Sequence, residues 1–405
     1  MAKFGLAHYQ LETATCHQRT MYNGEMNYIC ELEFFPNDTR NLTEEDYNPP
    51  GMAIIQYNIT TEKLVSILFV NGQSFSTKTI FNTQSVKEVT KWIEDETGYR
   101  YGEDFTAFDT LDNGYLFKAE INGYDSRPDG LIEVEFDEAG KLTSFRISNE
   151  EVFTVNKQPE TFTYTIDDVI PMMKDFVKLE QFPDEEQQRF VSVYTAEEIY
   201  ITNEGIRIIP SVSGENPLAV NHLMTWETAL LGTVDRIPIV PYPAVPIKEA
   251  FTMKKPKSGP KLTEVDIQKA LPVVKDVLRT VLPDDSGKWT LTTIEKEQGF
   301  IKAVCRFNES KEIYFERQFI VLLDHQSFKV LNYLDNGELF EIFDAFTPAP
   351  AEKVSQEEAF QILKDSFFLT PTYVYDAETR QFLLCAAVHA TDYVDAVSGE
   401  LISPL

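Results

Sequence analysis

Apolar residues recur with the spacing of a helix face in four stretches of this 405-residue chain. Each stretch opens with a Ser or Thr, and an acidic residue follows three positions later. The four pairs are Ser85 with Glu88, Thr165 with Asp168, Thr263 with Asp266 and Ser355 with Glu358. The hydroxyl can accept a free backbone N–H of the first helical turn, and the acid favours the positive helix end. The pattern therefore predicts four helices that begin near these residues.

Segments of strand character, rather than further helices, follow the predicted helices. After the first helix, two apolar runs flank Asp112-Asn113-Gly114, a sequence typical of a tight turn between antiparallel strands. The predicted strands are 105–110, 115–121, 131–136 and 141–147 after the first helix, and 299–307, 312–323 and 328–334 after the third. Three more are predicted before residue 84, at 27–35, 52–59 and 63–70, with no helix in front of them.

This order of elements predicts an α+β fold made of tandem units, each with one helix packed on a short antiparallel sheet. A helix and a sheet each have one apolar face to bury, so they pack naturally on each other. An all-β segment precedes the units. The predicted segments are 1–80 (β segment), 81–155 (unit 1), 156–236 (unit 2), 237–261 (linker), 262–346 (unit 3) and 347–405 (unit 4).

The linker prediction rests on prolines. Six lie between residues 237 and 261, namely Pro238, Pro241, Pro243, Pro246, Pro256 and Pro260. Residues before proline prefer extended conformations, so we expect neither a helix nor a central strand there. The segment also contains Lys254-Lys255-Pro256-Lys257, a basic island in an acidic chain. We interpret it as the connection between two halves.

The balance of charged residues limits which kinds of partner the protein can bind. With 36 basic and 65 acidic residues the formal net charge is −29, which repels nucleic-acid phosphates and anionic membranes. Such a surface favours basic partners or cations, or simply keeps the protein in solution. The N-terminal residues lack the apolar core of a signal peptide, and no later stretch approaches the ~18 apolar residues of a membrane span. We therefore expect a cytoplasmic protein without membrane insertion.

The four cysteines are Cys16, Cys30, Cys305 and Cys385. They are far apart in sequence and form no CxxC pair. A disulfide framework needs more cysteines, and a zinc site needs closer spacing. We therefore expect four buried free thiols.

Catalytic and cofactor motifs are missing from the sequence. It has no G-x-S-x-G, no phosphate-binding loop, no GxGxxG and no H-E-x-x-H. The five histidines, His8, His17, His222, His325 and His389, are far apart in sequence. The sequence therefore predicts no catalytic residue, no cofactor and no metal ligand.

For several polar residues we expect a structural role rather than a role in a functional site. We expect a solvated turn for His325 and a satisfied position in a sheet for His389. The acidic runs at 44–46, 184–186, 197–198 and 284–285 lie in polar surroundings that predict ordinary solvated carboxylates. In the cluster His222 to Glu227, we expect Trp226 to be in the core and Glu227 on the surface, although the cluster could instead line a pocket.

The C-terminal stretch carries a family resemblance. Ser355-Gln-Glu-Glu-Ala359 opens the last helix, and Val394-Asp395-Ala-Val-Ser-Gly399-Glu-Leu closes the last strand. This combination resembles the PepSY domain, and the serial arrangement resembles the PepSY-type repeats of the YcdB/YcdC group of bacterial proteins. The match covers about the last fifty residues. In the closing motif, a tight turn at Asp395 would need Gly399 where the chain bends back with positive φ.

The resemblance implies a module without catalytic residues. Similar domains occur in propeptides of secreted metallopeptidases, where they are associated with inhibition and folding assistance, and in cell-envelope proteins. The first hypothesis is thus a non-enzymatic binding or regulatory protein that contacts a peptidase or a peptide. The alternatives are a structural or assembly protein, and a hydrolase whose site is assembled from distant residues.

Overall fold

The computed structural model describes residues 2–21, 24–37, 48–79, 82, 85–155, 161–203, 218–239, 242, 244–252, 262–297, 299–308, 316–343, 345–376 and 379–403. The protein is mostly β, with 44% strand and 21% helix. The helices are α1 Val86–Thr97, α2 Ile166–Met173, α3 Ile247–Thr252, α4 Glu264–Val281, α5 Gly337–Glu341 and α6 Gln356–Leu363.

Nine strands form the largest sheet. They are β1 Tyr9–Thr20, β2 Met26–Pro36, β3 Ala53–Asn58, β4 Lys63–Phe69, β5 Phe105–Leu111, β6 Gly114–Ala119, β8 Leu131–Phe136, β9 Leu142–Ser148 and β14 Ala244–Val245. Between β6 and β8 lies the short strand β7, Asp125–Arg127, which belongs to another sheet. The order across the large sheet is β14-β1-β2-β3-β4-β9-β8-β6-β5.

The other strands form three smaller sheets. Their bounds are β10 Val177–Asp184, β11 Arg189–Ala196, β12 Ile199–Thr202, β13 Leu218–Met224, β15 Trp289–Lys296, β16 Phe300–Phe307, β17 Gln318–Asp324, β18 Val330–Asp335, β19 Phe367–Asp376, β20 Gln381–Ala390, β21 Tyr393–Asp395 and β22 Leu401–Ile402. The sheet orders are β13-β15-β16-β17-β18, β10-β11-β21-β22 and β12-β20-β19-β7.

The chain clusters into two compact units, each assembled from separate stretches. The first contains residues 1–161, 242–259 and 372–384, and the second contains 162–241, 260–371 and 385–405. Residues 1–80 and 81–155 of the predicted division thus share the first unit and its nine-stranded sheet. Part of the predicted linker also belongs to that unit.

The four predicted helix starts are confirmed. Ser85, Thr165, Thr263 and Ser355 are the N-cap residues of α1, α2, α4 and α6. The closing turn is confirmed as well, because the Asp395 carboxylate accepts the N–H groups of Val397 and Ser398, and Gly399 has a φ of +77°. These features depend on contacts within a few residues, which the sequence displays directly.

The predicted fold class is wrong, because the strands do not stay within tandem helix-on-sheet units. Strand β4 of the predicted N-terminal segment pairs with β9 of predicted unit 1, with Ser66 opposite Arg146. In the second unit β12 pairs with β20, and β11 pairs with β21, so predicted units 2 and 4 share their ladders. An unpaired sheet edge leaves backbone N–H and C=O groups open, and a strand from elsewhere in the chain satisfies them.

The expectation of no helix in the proline-rich segment is also wrong. Residues 247–252 form α3, and the prolines of the segment lie outside it. Pro246 directly precedes the helix, where a proline is tolerated because the N–H groups of the first turn have no helical acceptor. The basic island at 254–257 lies outside the described residues.

Each unit has its own apolar core. In the first, Val89 and Ile93 of α1 are buried, and the Trp92 ring meets the Phe145 ring of β9 edge-on at 5.1 Å. In the second, one cluster joins α4 to the five-stranded sheet around Trp289, and another joins α2 to α6. None of the described helices is both long and apolar enough to cross a membrane.

Truncation of Phe145 tests the packing of the first unit. The side chain is fully buried, so we expect Phe145→Ala to lower the free energy of unfolding by about 3–5 kcal/mol. The matched control is Phe108→Ala, because Phe108 of β5 is 58% exposed and its truncation should cost about 0.5 kcal/mol or less. Urea denaturation followed by fluorescence compares the two. Equal losses would contradict the described core.

Candidate functional site

Strand β1 lies near one edge of the nine-stranded sheet and is paired unequally on its two sides. On the inner side β2 runs antiparallel to it from Tyr9 to Thr20, with a register shift between Leu11 and Thr13. On the outer side β14 pairs only with Cys16 and His17. Among the described residues, no strand covers the outer side of Tyr9–Thr15. Residues 10–13 and 15 are exposed to solvent.

The segment that pairs with β1 is short for a local reason. We call Ala244–Thr252, which contains β14 and α3, the strap. Pro246 follows β14 directly and has no N–H to donate to a ladder. The carbonyl of Pro246 instead accepts the N–H groups of Glu249 and Ala250, so the chain turns into α3. The strap therefore leaves the β1 edge after two residues.

Contacts on the sheet hold the strap in place. Ala250 is buried in a small cluster with Cys16, Tyr28 and Cys30. The Tyr28 hydroxyl donates to Glu249 Oε1 at 3.2 Å. On the outward side of α3, Ile247 and Phe251 are 46% and 65% exposed. Among the described residues, the strap is thus held by its two-residue ladder with β1, by this small apolar cluster and by the hydrogen bond from Tyr28.

A disulfide lies beneath the strap and corrects the prediction of four free thiols. Cys16 and Cys30 are directly opposite each other on β1 and β2 and form a disulfide. They are 14 positions apart in sequence, and only the strand register brings them together. Cys305 and Cys385 are buried thiols outside this bridge, as predicted. Burial raises the pKa of the Cys305 thiol to about 12, which makes it unreactive at neutral pH.

The open part of the β1 edge has an acidic surrounding. Glu12 lies on β1, and Glu31 and Glu33 lie on β2. Thr13 Oγ1 donates to Glu33 Oε2 at 2.6 Å, which holds that carboxylate beside the edge. Burial lowers the pKa of His17, so this imidazole is neutral at pH 7 and does not offset the acids. The acids on β1 and β2 thus outnumber the one arginine of β1.

The five histidines do not come together. His17, His222 and His389 lie on β1, β13 and β20, and His325 is an exposed turn residue, as predicted. His389 Nδ1 lies 2.8 Å from Glu198 Oε2 and its ring stacks on Phe368, which agrees with a satisfied position in a sheet. In the part of the chain that the structure describes, no group of three or more His, Cys, Asp or Glu residues could hold a metal ion.

The interpretations of Trp226 and the acidic runs are confirmed where the residues are described. Trp226 is buried, its indole N–H donates to the Pro283 carbonyl at 2.9 Å, and Glu227 is exposed. The runs at 184–186, 197–198 and 284–285 are exposed or half-buried. The run at 44–46 lies outside the described residues.

The sequence interpretation missed Glu150 and Glu151, the most buried pair of neighbouring acids among the described residues. Glu150 is only 7% exposed and lines two cavities of about 10 and 80 Å³. The available signal was the position of the pair, directly after strand β9 and before buried Val152 and Phe153. Both cavities are far below the ~300–1,000 Å³ of ordinary small-molecule sites.

No protein-family model matches this chain, and no curated protein matches it. The resemblance to PepSY-type repeats therefore stays an expectation from the C-terminal motif alone.

Reduction of the Cys16–Cys30 disulfide should destabilise the first unit. The bridge closes a loop between residues 14 apart in sequence, for which chain entropy predicts a loss of about 3 kcal/mol in the free energy of unfolding. Urea denaturation with and without reductant measures this loss.

The double variant Cys16→Ala/Cys30→Ala is the control, because reductant should leave its midpoint unchanged. Thiol labelling of the denatured, unreduced protein should modify only Cys305 and Cys385. Labelling of all four cysteines without reductant would contradict the bridge.

Proposed function

We propose that this chain is a non-catalytic binding protein that takes up an extended, basic segment of a partner protein as an added strand on the outer edge of β1. One observation carries the proposal. In the part of the chain that the structure describes, the edge already pairs with an antiparallel strand from the chain's own strap, at Cys16 and His17 only. Addition of a strand at a sheet edge is a common mode of peptide recognition, in which backbone hydrogen bonds supply affinity.

The bulge at Glu12 determines which part of the edge an added strand would use. The register of β1 against β2 is regular from Thr13 to Thr20. A peptide that pairs along this stretch would meet β14 at Cys16 and His17 and would displace it. The strap is held by few contacts, so it is a competitor that a longer strand can replace.

Charge supports a basic partner. Glu12 lies on β1 and Glu31 and Glu33 lie on the adjacent strand β2, and the whole chain carries a formal charge of −29. Attraction of this kind raises association rates and rejects acidic partners. A segment that alternates Lys or Arg with β-branched residues would combine this charge with a preference for extended structure.

The disulfide is relevant to the cellular compartment in which the protein functions. Disulfides persist in oxidising compartments and are rare in the cytosol. We therefore propose an oxidising compartment in place of the cytoplasmic location expected from the sequence.

Binding can be measured with short labelled peptides in which Lys alternates with Val or Thr. We expect these peptides to bind, and versions with Glu in place of Lys to bind at least about ten times more weakly because like charges repel. Versions N-methylated at alternate residues keep the side chains but lose the N–H groups that pair with β1, so they should not bind. Equal binding of the N-methylated peptides would contradict strand addition.

Hydrogen exchange locates the binding edge. Bound peptide should slow exchange in β1 at residues 13–20 and speed exchange in the strap, while β5 at the opposite edge of the sheet stays unchanged. The variant Val245→Pro removes an N–H from β14 and should tighten peptide binding several-fold, because it weakens the competitor. Protection confined to β5, or weaker binding in this variant, would contradict the proposal.

A further inference from the structure

A cavity of about 80 Å³ lies in the first unit, and Glu25, Lys63, Tyr99, Glu150 and Glu151 contribute to its wall. A site needs about 10–15 Å³ of such space to hold one water molecule. The cavity therefore has room for several waters or for a small organic molecule. None of these residues belongs to the β1 edge.

One carboxylate oxygen of Glu150 has a hydrogen-bond partner in the protein, and the other has none among the described residues. Its Oε1 accepts a hydrogen bond from Asn58 Nδ2, and Asn58 is fully buried. Its Oε2 is buried and has no hydrogen-bond partner among the described residues. A buried carboxylate oxygen without a partner is costly, and a donor held in one of the two cavities that Glu150 lines would satisfy it.

The surrounding backbone fixes this arrangement. Asn58 Oδ1 accepts the N–H groups of Thr60 and Thr61, so the amide must present its Nδ2 to Glu150. On the other side Glu150 opens a short 3₁₀ helix, Glu150–Thr154. The Phe153 ring of this helix stacks on Tyr99 at 4.7 Å. Rotation of Asn58 therefore cannot satisfy the second oxygen of Glu150.

The charged side chains on the cavity wall favour a cation as the ligand. Three carboxylates, those of Glu25, Glu150 and Glu151, contribute to the wall, against the ammonium of Lys63 and the guanidinium of Arg19, which also acts on Glu150. Lys63 Nζ lies over the Tyr99 ring, 3.9 Å from its centroid. Burial raises the pKa of Glu150 and lowers the pKa of Lys63, as expected where each charged form lacks solvent.

The described residues offer no cluster that could hold a metal ion, so an organic cation fits better. A primary ammonium carries three N–H donors on a compact charge. One donor can serve Glu150 Oε2, while Asn27 and Thr61 line the same cavity and offer neutral oxygen acceptors. We propose that this cavity binds a small primary alkylammonium ion through Glu150.

Thermal unfolding with methylammonium chloride as the probe tests the proposal. We expect methylammonium to raise the unfolding midpoint in a saturable way, because a ligand that binds only the folded state stabilises it. Sodium chloride at the same ionic strength should not do so. Tetramethylammonium chloride, which is larger and has no N–H donor, should not do so either. Equal shifts with all three salts would overturn the proposal.

Variants identify the residue responsible. Glu150→Gln keeps the shape but removes the charge, and should weaken methylammonium binding about ten-fold or more. The control Glu138→Gln makes the same chemical change at an exposed turn residue and should leave binding unchanged. Lys63→Met removes a competing cation and should tighten binding. An unchanged dissociation constant in Glu150→Gln would overturn the assignment.

If Glu150→Gln does not fold, a measurement on the unaltered protein tests whether methylammonium binds in the cavity. Nuclear Overhauser effects from the methyl group of methylammonium to the ring protons of Tyr99 should appear at saturating concentration, since Tyr99 lines the cavity. Their absence at saturation would mean that the cavity holds water only, and would overturn the proposal.

Discussion

Backbone pairing between β4 and β9 is the interaction on which the first unit depends. It joins four strands from the beginning of the chain to four strands that follow α1, and the result is one sheet. Without this ladder both groups would present an open edge in the middle of an apolar layer. With it, the inner strands are paired on both sides, and α1 has a continuous surface on which to bury Val89 and Ile93. The same pairing leaves the sheet with two outer edges only.

The two outer edges of this sheet differ in what limits the pairing of a further strand, and the proposed function rests on this difference. At one end β5 has a register shift between Ala107 and Asp109, which interrupts a regular ladder and discourages pairing with other chains. At the other end the strap pairs with β1 over two residues and then turns away at Pro246. A proline-rich segment therefore both occupies the edge and limits how much of it is occupied. This partial cover is the feature on which the proposed strand addition rests.

In the second unit, sheet edges are likewise paired by strands from distant parts of the chain. The strands that follow α2 and α6 pair with each other, β11 with β21 and β12 with β20, and both helices bury their apolar faces in one shared core. Neither segment would complete its sheet alone. This reciprocal pairing explains why a sequence with helix-then-strand order did not produce tandem units.

The sequence alone determined the features that depend on near neighbours. The helix starts at Ser85, Thr165, Thr263 and Ser355, the strand bounds 131–136 and the turn at Asp395 and Gly399 rest on contacts within about four residues. Only the tertiary structure decided the features that depend on register between distant strands. These are the single nine-stranded sheet, the disulfide, the open edge of β1 and the buried oxygen of Glu150. The sequence states which residues form strands, but any open edge can in principle accept several partners. The choice among them is made by the burial of side chains across the whole unit.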